Sequence, residues 1–305
     1  MNIFKKCCRF IYLNARPIDL ARWQYHFEEG SKDNVLKMLA NYQNKDGGFG
    51  YALEADCFNP NSSPIQTWAA TEILKEINFD DKNHSIIQGI LKYLLSGQDF
   101  NKTLKQWENT IASNNDYPHA IWWTYNSNKG SEYKYNPTAS LAGFFLKYGD
   151  KNHPFYSTAI NIVKEAYNYW IASMPYNEQH VTNCFINMYD YLSDTCEEIV
   201  DMKEFKKKII DQVKYEIDSA LDEWGINYVC MPSDFIKSKD SIFHLTNKES
   251  VQKECNYIIN HQLEDGSFPV SWKWWTDYKE FEISQNWWKA EFCIRYMRFL
   301  KEFSQ

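Results

Sequence analysis

Two carboxylates, Glu54 and Asp56, follow the glycine-rich turn Asp46-Gly47-Gly48-Phe49-Gly50. Two positions apart, they face the same side if the segment is extended. An acid in a desolvated, aromatic setting holds its proton to higher pH and can act as a general acid. The competing reading is structural: either acid caps a helix N-terminus or pairs with an Arg to hold the turn. His119 sits in Pro118-His119-Ala120-Ile121-Trp122-Trp123. A His beside paired indoles suits proton transfer over a platform for a cation or a sugar ring; the same residues also suit an apolar plug. Asp234, in Met231-Pro232-Ser233-Asp234-Phe235, is a candidate partner carboxylate. Two acids at the right separation suit glycoside chemistry, whereas one Asp in such a passage also suits a local turn. Tyr51, Trp122, Trp123, Asn136, Trp272 and Trp287 are candidate ligand contacts, set against the ordinary use of such aromatics as core. Motifs of nucleotide-phosphate binding, zinc proteolysis and the hydrolase nucleophile elbow are missing.

The elements that must carry these residues read as helical nearly throughout. Residues 17–28 and 32–43 form a first pair, with Val35, Leu36, Leu39 and Tyr42 at helical spacing. Ser63-Pro64-Ile65-Gln66 reads as a helix start, with Ser63 as N-cap and Gln66 completing a capping box. Further helices are expected over 83–96, from Asn136-Pro137 through Leu146, and over 154–172, 178–192, 202–222, 248–262 and 284–303. Residues 99–135 and 224–246 lack a sustained period and read as long, ordered loops. A degenerate copy of the first turn returns at Gln262-Leu263-Glu264-Asp265-Gly266-Ser267-Phe268, matching Gln43 to Phe49. A turn unit recurring so far apart predicts a closed array of helical hairpins, roughly ten to twelve helices in about six pairs. One all-α domain over 1–305 is expected, with 1–16 a candidate N-terminal extension.

Composition narrows the function classes. A formal charge of −7 argues against nucleic acid as partner. The longest apolar runs fall short of the roughly 18 residues of a membrane span. The stretch from Ile3 to Leu13 is interrupted by Lys5, Lys6 and Arg9 and makes a poor signal peptide. The 8 cysteines are scattered without a Cys-x-x-Cys, which predicts buried free thiols and a cytoplasmic protein. Aromatic residues reach 17%, with 12 Trp and 21 Tyr, which suggests thick helix packing, an aromatic cavity, or both.

The Gln43-to-Gly50 unit resembles the QW-type repeat of the α/α-toroid superfamily of squalene–hopene cyclases, other terpenoid cyclases and protein prenyltransferase β-subunits. More narrowly, the chain from about residue 17 onward resembles bacterial proteins labelled prenyltransferase-like or squalene-cyclase-like. The matching passages run from Tyr42 to Asp56, Asn136 to Gly143, Pro232 to Asp240 and Asp265 to Trp272. The resemblance implies an α/α toroid of two concentric helix layers and an apolar, isoprenoid-like ligand in an aromatic cavity. The residues depart from those enzymes where chemistry is done. Asp80-Asp81 lacks the first acid of Asp-x-Asp-Asp, and Glu54-Ala55-Asp56-Cys57 is a distant echo of it. Asp80-Asp81 continues with Lys82, Asn83 and His84, so Asp-Asp-x-x-Asp is also missing. Of the prenyltransferase zinc ligands, Asp56-Cys57 has the wrong spacing; Asp194-Thr195-Cys196 has the right one but no identifiable His. No metal or cofactor is therefore expected. The leading expectation is a cyclase- or prenyltransferase-like enzyme or binder using carboxylate acid–base chemistry. The alternatives are a carbohydrate-active toroid enzyme, glycosidase or lyase, and a non-catalytic binding or scaffold protein.

Overall fold

The computed structural model describes residues 2–127, 134–195 and 198–304. The Asp194-Thr195-Cys196 candidate therefore ends outside the described residues. Twelve α-helices and one two-stranded hairpin are present among the described residues, so the chain is all-α in class. It divides into two compact units, Met1–Leu39 with Val213–Gln305, and Ala40–Gln212.

The first unit holds α1 (Ile3–Asn14), α2 (Pro17–Phe27), nearly all of α3 (Lys32–Ala40), the short α10 (Pro232–Phe235), α11 (Lys248–Asn260) and α12 (Phe281–Phe303). Residues 1–16, a candidate extension by sequence, contain α1, which packs on α2 and α12. Its Cys7, Phe10 and Ile11 recur at helical spacing and are buried, while Lys5 and Arg9 are exposed. Charge is buried beside this core: Arg16 Nε bonds Asp19 at 2.7 Å, and Arg22 bridges Asp19 and Glu291. Because Arg22 has carboxylates on both sides, its desolvation is offset by two charge-assisted hydrogen bonds.

The second unit holds α4 (Pro64–Glu76), α5 (Ser85–Ser96), the hairpin β1 (Phe100–Asn101) and β2 (Gln106–Trp107), α6 (Thr138–Tyr148), α7 (Phe155–Ser173) and α8 (Gln179–Ser193). The remaining helix, α9 (Met202–Ala220), has residues in both units. The centre of the second unit is α6, buried at every position from Thr138 to Leu146 and packed on α7 and α8. A helix apolar all round can only be a core helix. At Gly143 a β-carbon would stand 3.1 Å from Met188 Cα, so the glycine sets how closely α6 approaches α8. The long loops are ordered in short pieces: the β1–β2 hairpin, the 3-10 turns Ala112–Asp116 and Ile121–Trp123, and α10.

The predicted capping box at α4 is half present. Ser63 Oγ accepts from Gln66 N at 3.2 Å, as an N-cap should. Gln66 does not reach back; its side chain is buried, accepting from Leu53 N and donating to Asn59 O, each at 2.9 Å. It pins the loop between the glycine turn and the helix.

Candidate functional site

Gln43 organises the first turn. Its Nε2 donates to Gly47 O at 2.9 Å and to Ile86 O at 3.1 Å, tying the turn to the start of α5. Gly47 has φ +98°, and a β-carbon there would stand 2.1 Å from Gly89 O. Only glycine supplies both that backbone conformation and that close approach. Asp46 Oδ1 accepts from Gly48 N at 2.9 Å and from Ser62 Oγ at 2.7 Å. Asn44 Nδ2 donates to Pro60 O and to Ser62 Oγ. The turn and the returning loop are thereby laced together by side-chain amides, a hydroxyl and a carboxylate.

This lacing forms one wall of an open groove of about 670 Å³. Asp46, Tyr51, Asn61, Ser62, Asp99 and Ser113 are among its lining residues, and Lys45 is its cation. Asp99 stands just past the left-handed Gly97 that ends α5, and is itself left-handed at φ +55°, a conformation Asp tolerates. Its Oδ2 accepts from the buried Tyr93 hydroxyl at 2.9 Å. Burial raises the Asp99 carboxyl above its ordinary value, and the charges of Asp46 and Glu108 add to this; hydrogen bonds from Tyr93 and Gln98 pull the other way without cancelling it. Tyr93 is itself held well above the ordinary tyrosine range, by burial first and by Asp99 second. It therefore stays a hydroxyl donor. The groove thus combines an acid that resists ionisation with a second carboxylate, Asp46, whose Oδ1 is fixed by two donors.

Of the residues singled out from sequence, Tyr51 lines this groove, half exposed and with φ +59°. Glu54 and Asp56 lie behind it in a turn, not in an extended segment: Cys57 N donates to Glu54 O, and Glu54 Oε2 accepts from Asp56 N at 3.0 Å. The alternation argument for a shared face thus fails, because it holds only for extended backbone. Asp56 is buried, and its carbonyl accepts from Ala120 N at 2.9 Å. His119 is brought to the same place, bridged to Cys57, with Nδ1 2.6 Å from Tyr117 O and Nε2 3.0 Å from Thr124 Oγ1. Both ring nitrogens are engaged and the ring is buried. Burial, with the Glu54 and Asp56 charges adding to it, pushes the Cys57 thiol up to about 12. That polar layer reaches the groove wall through Asn59, whose Nδ2 donates to Ser113 Oγ and Asn114 Oδ1, each at 2.9 Å.

The remaining candidates are dispersed. Trp122 and Trp123 form the 3-10 turn after His119; Trp122 is exposed, and the Trp123 carbonyl accepts from Asn114 Nδ2. The Asn136 carbonyl accepts from Asn109, and its Oδ1 from the Cys184 thiol. In the other unit Trp272 packs edge-on against Tyr228, Trp288 and Phe292, and Trp287 lies under the Arg16 guanidinium. Asp234 takes Met231 N on Oδ2 at 2.7 Å and Arg295 Nη1 on Oδ1. Both of its oxygens thus serve the local turn and an ion pair. The groove's two acids were missed because Asp46 reads as turn punctuation and Asp99 as the residue after a helix-ending glycine. The available signal was the polar run Asn59 to Ser63 following the turn, which supplies the Ser62 hydroxyl that bonds Asp46.

Among the described residues no group of three or more His, Cys, Asp and Glu is placed to hold a metal ion. No helix among them is long and apolar enough to cross a membrane. No family model matches the chain, and neither a curated protein nor a solved structure matches it.

Proposed function

We propose that the groove of the Ala40–Gln212 unit binds a hydroxylated small molecule, with a carbohydrate the best chemical fit. Asp99 then acts as proton donor and Asp46 as its carboxylate partner. The observation behind this reading is the pairing of those two acids in one open groove walled by amides, hydroxyls and Tyr51. Its volume of about 670 Å³ lies in the range of small-molecule sites. Amide and hydroxyl walls match the hydrogen-bonding edges of a sugar, and Tyr51 offers it a ring face. An acid that holds its proton more tightly than usual, in one groove with a second carboxyl fixed by two donors, suits the division of labour in glycoside cleavage.

The isoprenoid reading implied by the sequence resemblance needs an apolar, aromatic cavity, to which the Trp272–Trp288–Phe292 cluster would contribute. A closed α/α toroid belongs with that reading. It draws support from the repeated turn, since Gln262 Nε2 donates to Gly266 O and to Ile3 O at 2.9 Å just as Gln43 does to Gly47 and Ile86. Titration calorimetry with soluble oligosaccharides and with isoprenyl diphosphates separates the two. Saccharide binding that weakens about 10- to 100-fold in Asp46→Asn is expected, the worth of a charged hydrogen bond. Cleavage should be abolished in Asp99→Asn, and binding without turnover in the unmodified protein would reduce the site to a receptor. Saccharides that fail to bind, or that bind Asp46→Asn as tightly as the unmodified protein, would sink the proposal.

A further inference from the structure

Against α10, in the unit that does not hold the groove, lies a buried acid with no salt bridge among the described residues. Glu254, on α11, is fully buried. Its Oε2 accepts from Ser233 N at 2.7 Å, while Oε1 has no hydrogen-bond partner. A further buried atom, Arg295 Nε, is also without a hydrogen-bond partner. The Arg295 guanidinium acts on Glu254, but it is bonded to Asp234 and stacked over Phe292 and Tyr296. A carboxylate there would be a buried charge beside a second carboxylate, an arrangement that costs several kcal/mol. A neutral carboxylic acid still accepts the Ser233 N–H, more weakly, but at a far smaller desolvation cost.

We propose that Glu254 is a proton-operated latch: uncharged, it holds the 231–236 segment against α11 and α12, and ionised, it releases that segment. The segment is built to move as a piece. Asp234 closes its first turn by accepting Met231 N, and Ile236 N donates to Pro232 O at 2.8 Å, so its internal bonds survive displacement. Its ties to the rest of the unit include the Ser233–Glu254 bond, the Asp234–Arg295 pair and the packing of Phe235 and Ile236. Ile226, upstream of the segment, is exposed.

The groups acting on Glu254 pull both ways, and burial decides the direction. Burial dominates, Asp234 of α10 adds to it, and the Ser233 bonds and Arg295 of α12 oppose it; the result is a carboxyl pushed up to about 8. Tyr296 of α12 is raised, as are Cys255 on the same helix and Cys230 before α10, which also feels Glu216 of α9. All three therefore stay neutral through the Glu254 transition. Because the folded state holds this proton more tightly than the unfolded chain, the latch is at full strength in acid and weakens as pH rises toward about 8.

Amide hydrogen exchange of the full chain, corrected for intrinsic rates, tests this. Between about pH 5 and about pH 8, protection over 231–236 should fall by up to roughly tenfold per pH unit and then level off, with α5 unchanged. Glu254→Gln, which keeps the acceptor and cannot ionise, should be flat. A pH response that persists in Glu254→Gln, or none in the unmodified protein, overturns the latch. Should that variant fail to fold, a carboxyl-carbon NMR titration of the unmodified protein decides: a Glu254 midpoint near 8 supports the latch, and one in the ordinary carboxylate range overturns it.

Discussion

The same turn occurs twice in this molecule, and its two settings differ in what happens to the Asp. Around Gly47 and Gly266 the backbone solution is shared: φ is +98° and +96°, and a β-carbon would strike Gly89 O at 2.1 Å or Lys6 O at 2.3 Å. In each copy the Gln amide binds the turn glycine carbonyl and a carbonyl in the first turn of a helix, α5 or α1. Each Asp Oδ1 accepts the N–H two residues on, at 2.9 Å. The divergence starts one residue later. Ser267 supplies its own hydroxyl to Asp265 at 2.6 Å, and Lys289 Nζ stands 3.6 Å from the other oxygen. Gly48 has no side chain, and Ser62, arriving from the loop, donates to Asp46 in its place. A turn closed on itself and matched by a lysine is a joint. A turn whose hydroxyl comes from another segment becomes the wall of a groove.

The largest effect should come from the shared backbone. Gly47→Ala and Gly266→Ala should each destabilise by at least about 2–3 kcal/mol, since left-handed strain adds to a collision with backbone. Urea denaturation checks this, and a neutral Gly266→Ala would break the equivalence of the copies. Next is the exchange of hydroxyls. In Gly48→Ser the new β-carbon would meet Ser62 Cβ at 2.6 Å, so the single variant should lose about 1–3 kcal/mol. Adding Ser62→Gly should recover about half of that, because the serine would then sit as Ser267 does. A double-mutant cycle reads the coupling, and additive losses would mean the two hydroxyls are not interchangeable.

The smallest effect is in pH dependence, and its sign differs between the groove's Asp99 and the joint's Asp265. Asp99, raised in the folded state, adds stability below its ordinary range that is lost as pH rises through its folded value. Burial also pushes Asp265 upward, but the Ser267 hydrogen bonds and Lys289 outweigh it and hold the carboxyl below its ordinary value. Its stabilisation is therefore present above that range and lost in acid. Both effects should stay below about 1 kcal/mol, because solvent screens partly exposed groups. Asp265→Asn should flatten the acid limb of the stability curve and Asp99→Asn its next, opposite limb. Identical limbs in the two variants would remove the electrostatic distinction between joint and groove.

Much of the fold was legible along the chain. Helical spacing at Val35, Leu36 and Leu39, the Ser63-Pro64 start and the all-apolar run within α6 each announce an element through local physics. The recurrence of Gln-x-x-Asp-Gly also carries its structural meaning, since both glycines prove left-handed. The candidate site was less legible. Glu54 and Asp56 were singled out by spacing, yet spacing fixes orientation only when the backbone is extended, and here it turns. Gln66 has the position of a capping-box residue but spends its side chain on Leu53 and Asn59, which lie upstream of the helix it starts.

By itself, then, the sequence determined the helices, their punctuation and the duplicated glycine turn, because dihedral preference and hydrophobic period are properties of neighbours in the chain. Only the tertiary structure decided which acids share a groove and which are locked into turns. Asp46 and Asp99 are 53 positions apart in the sequence, and the Ser62 and Tyr93 hydroxyls that position them come from yet other segments. Whether a carboxylate is buried, paired or open to a ligand depends on groups that folding alone brings within hydrogen-bond reach.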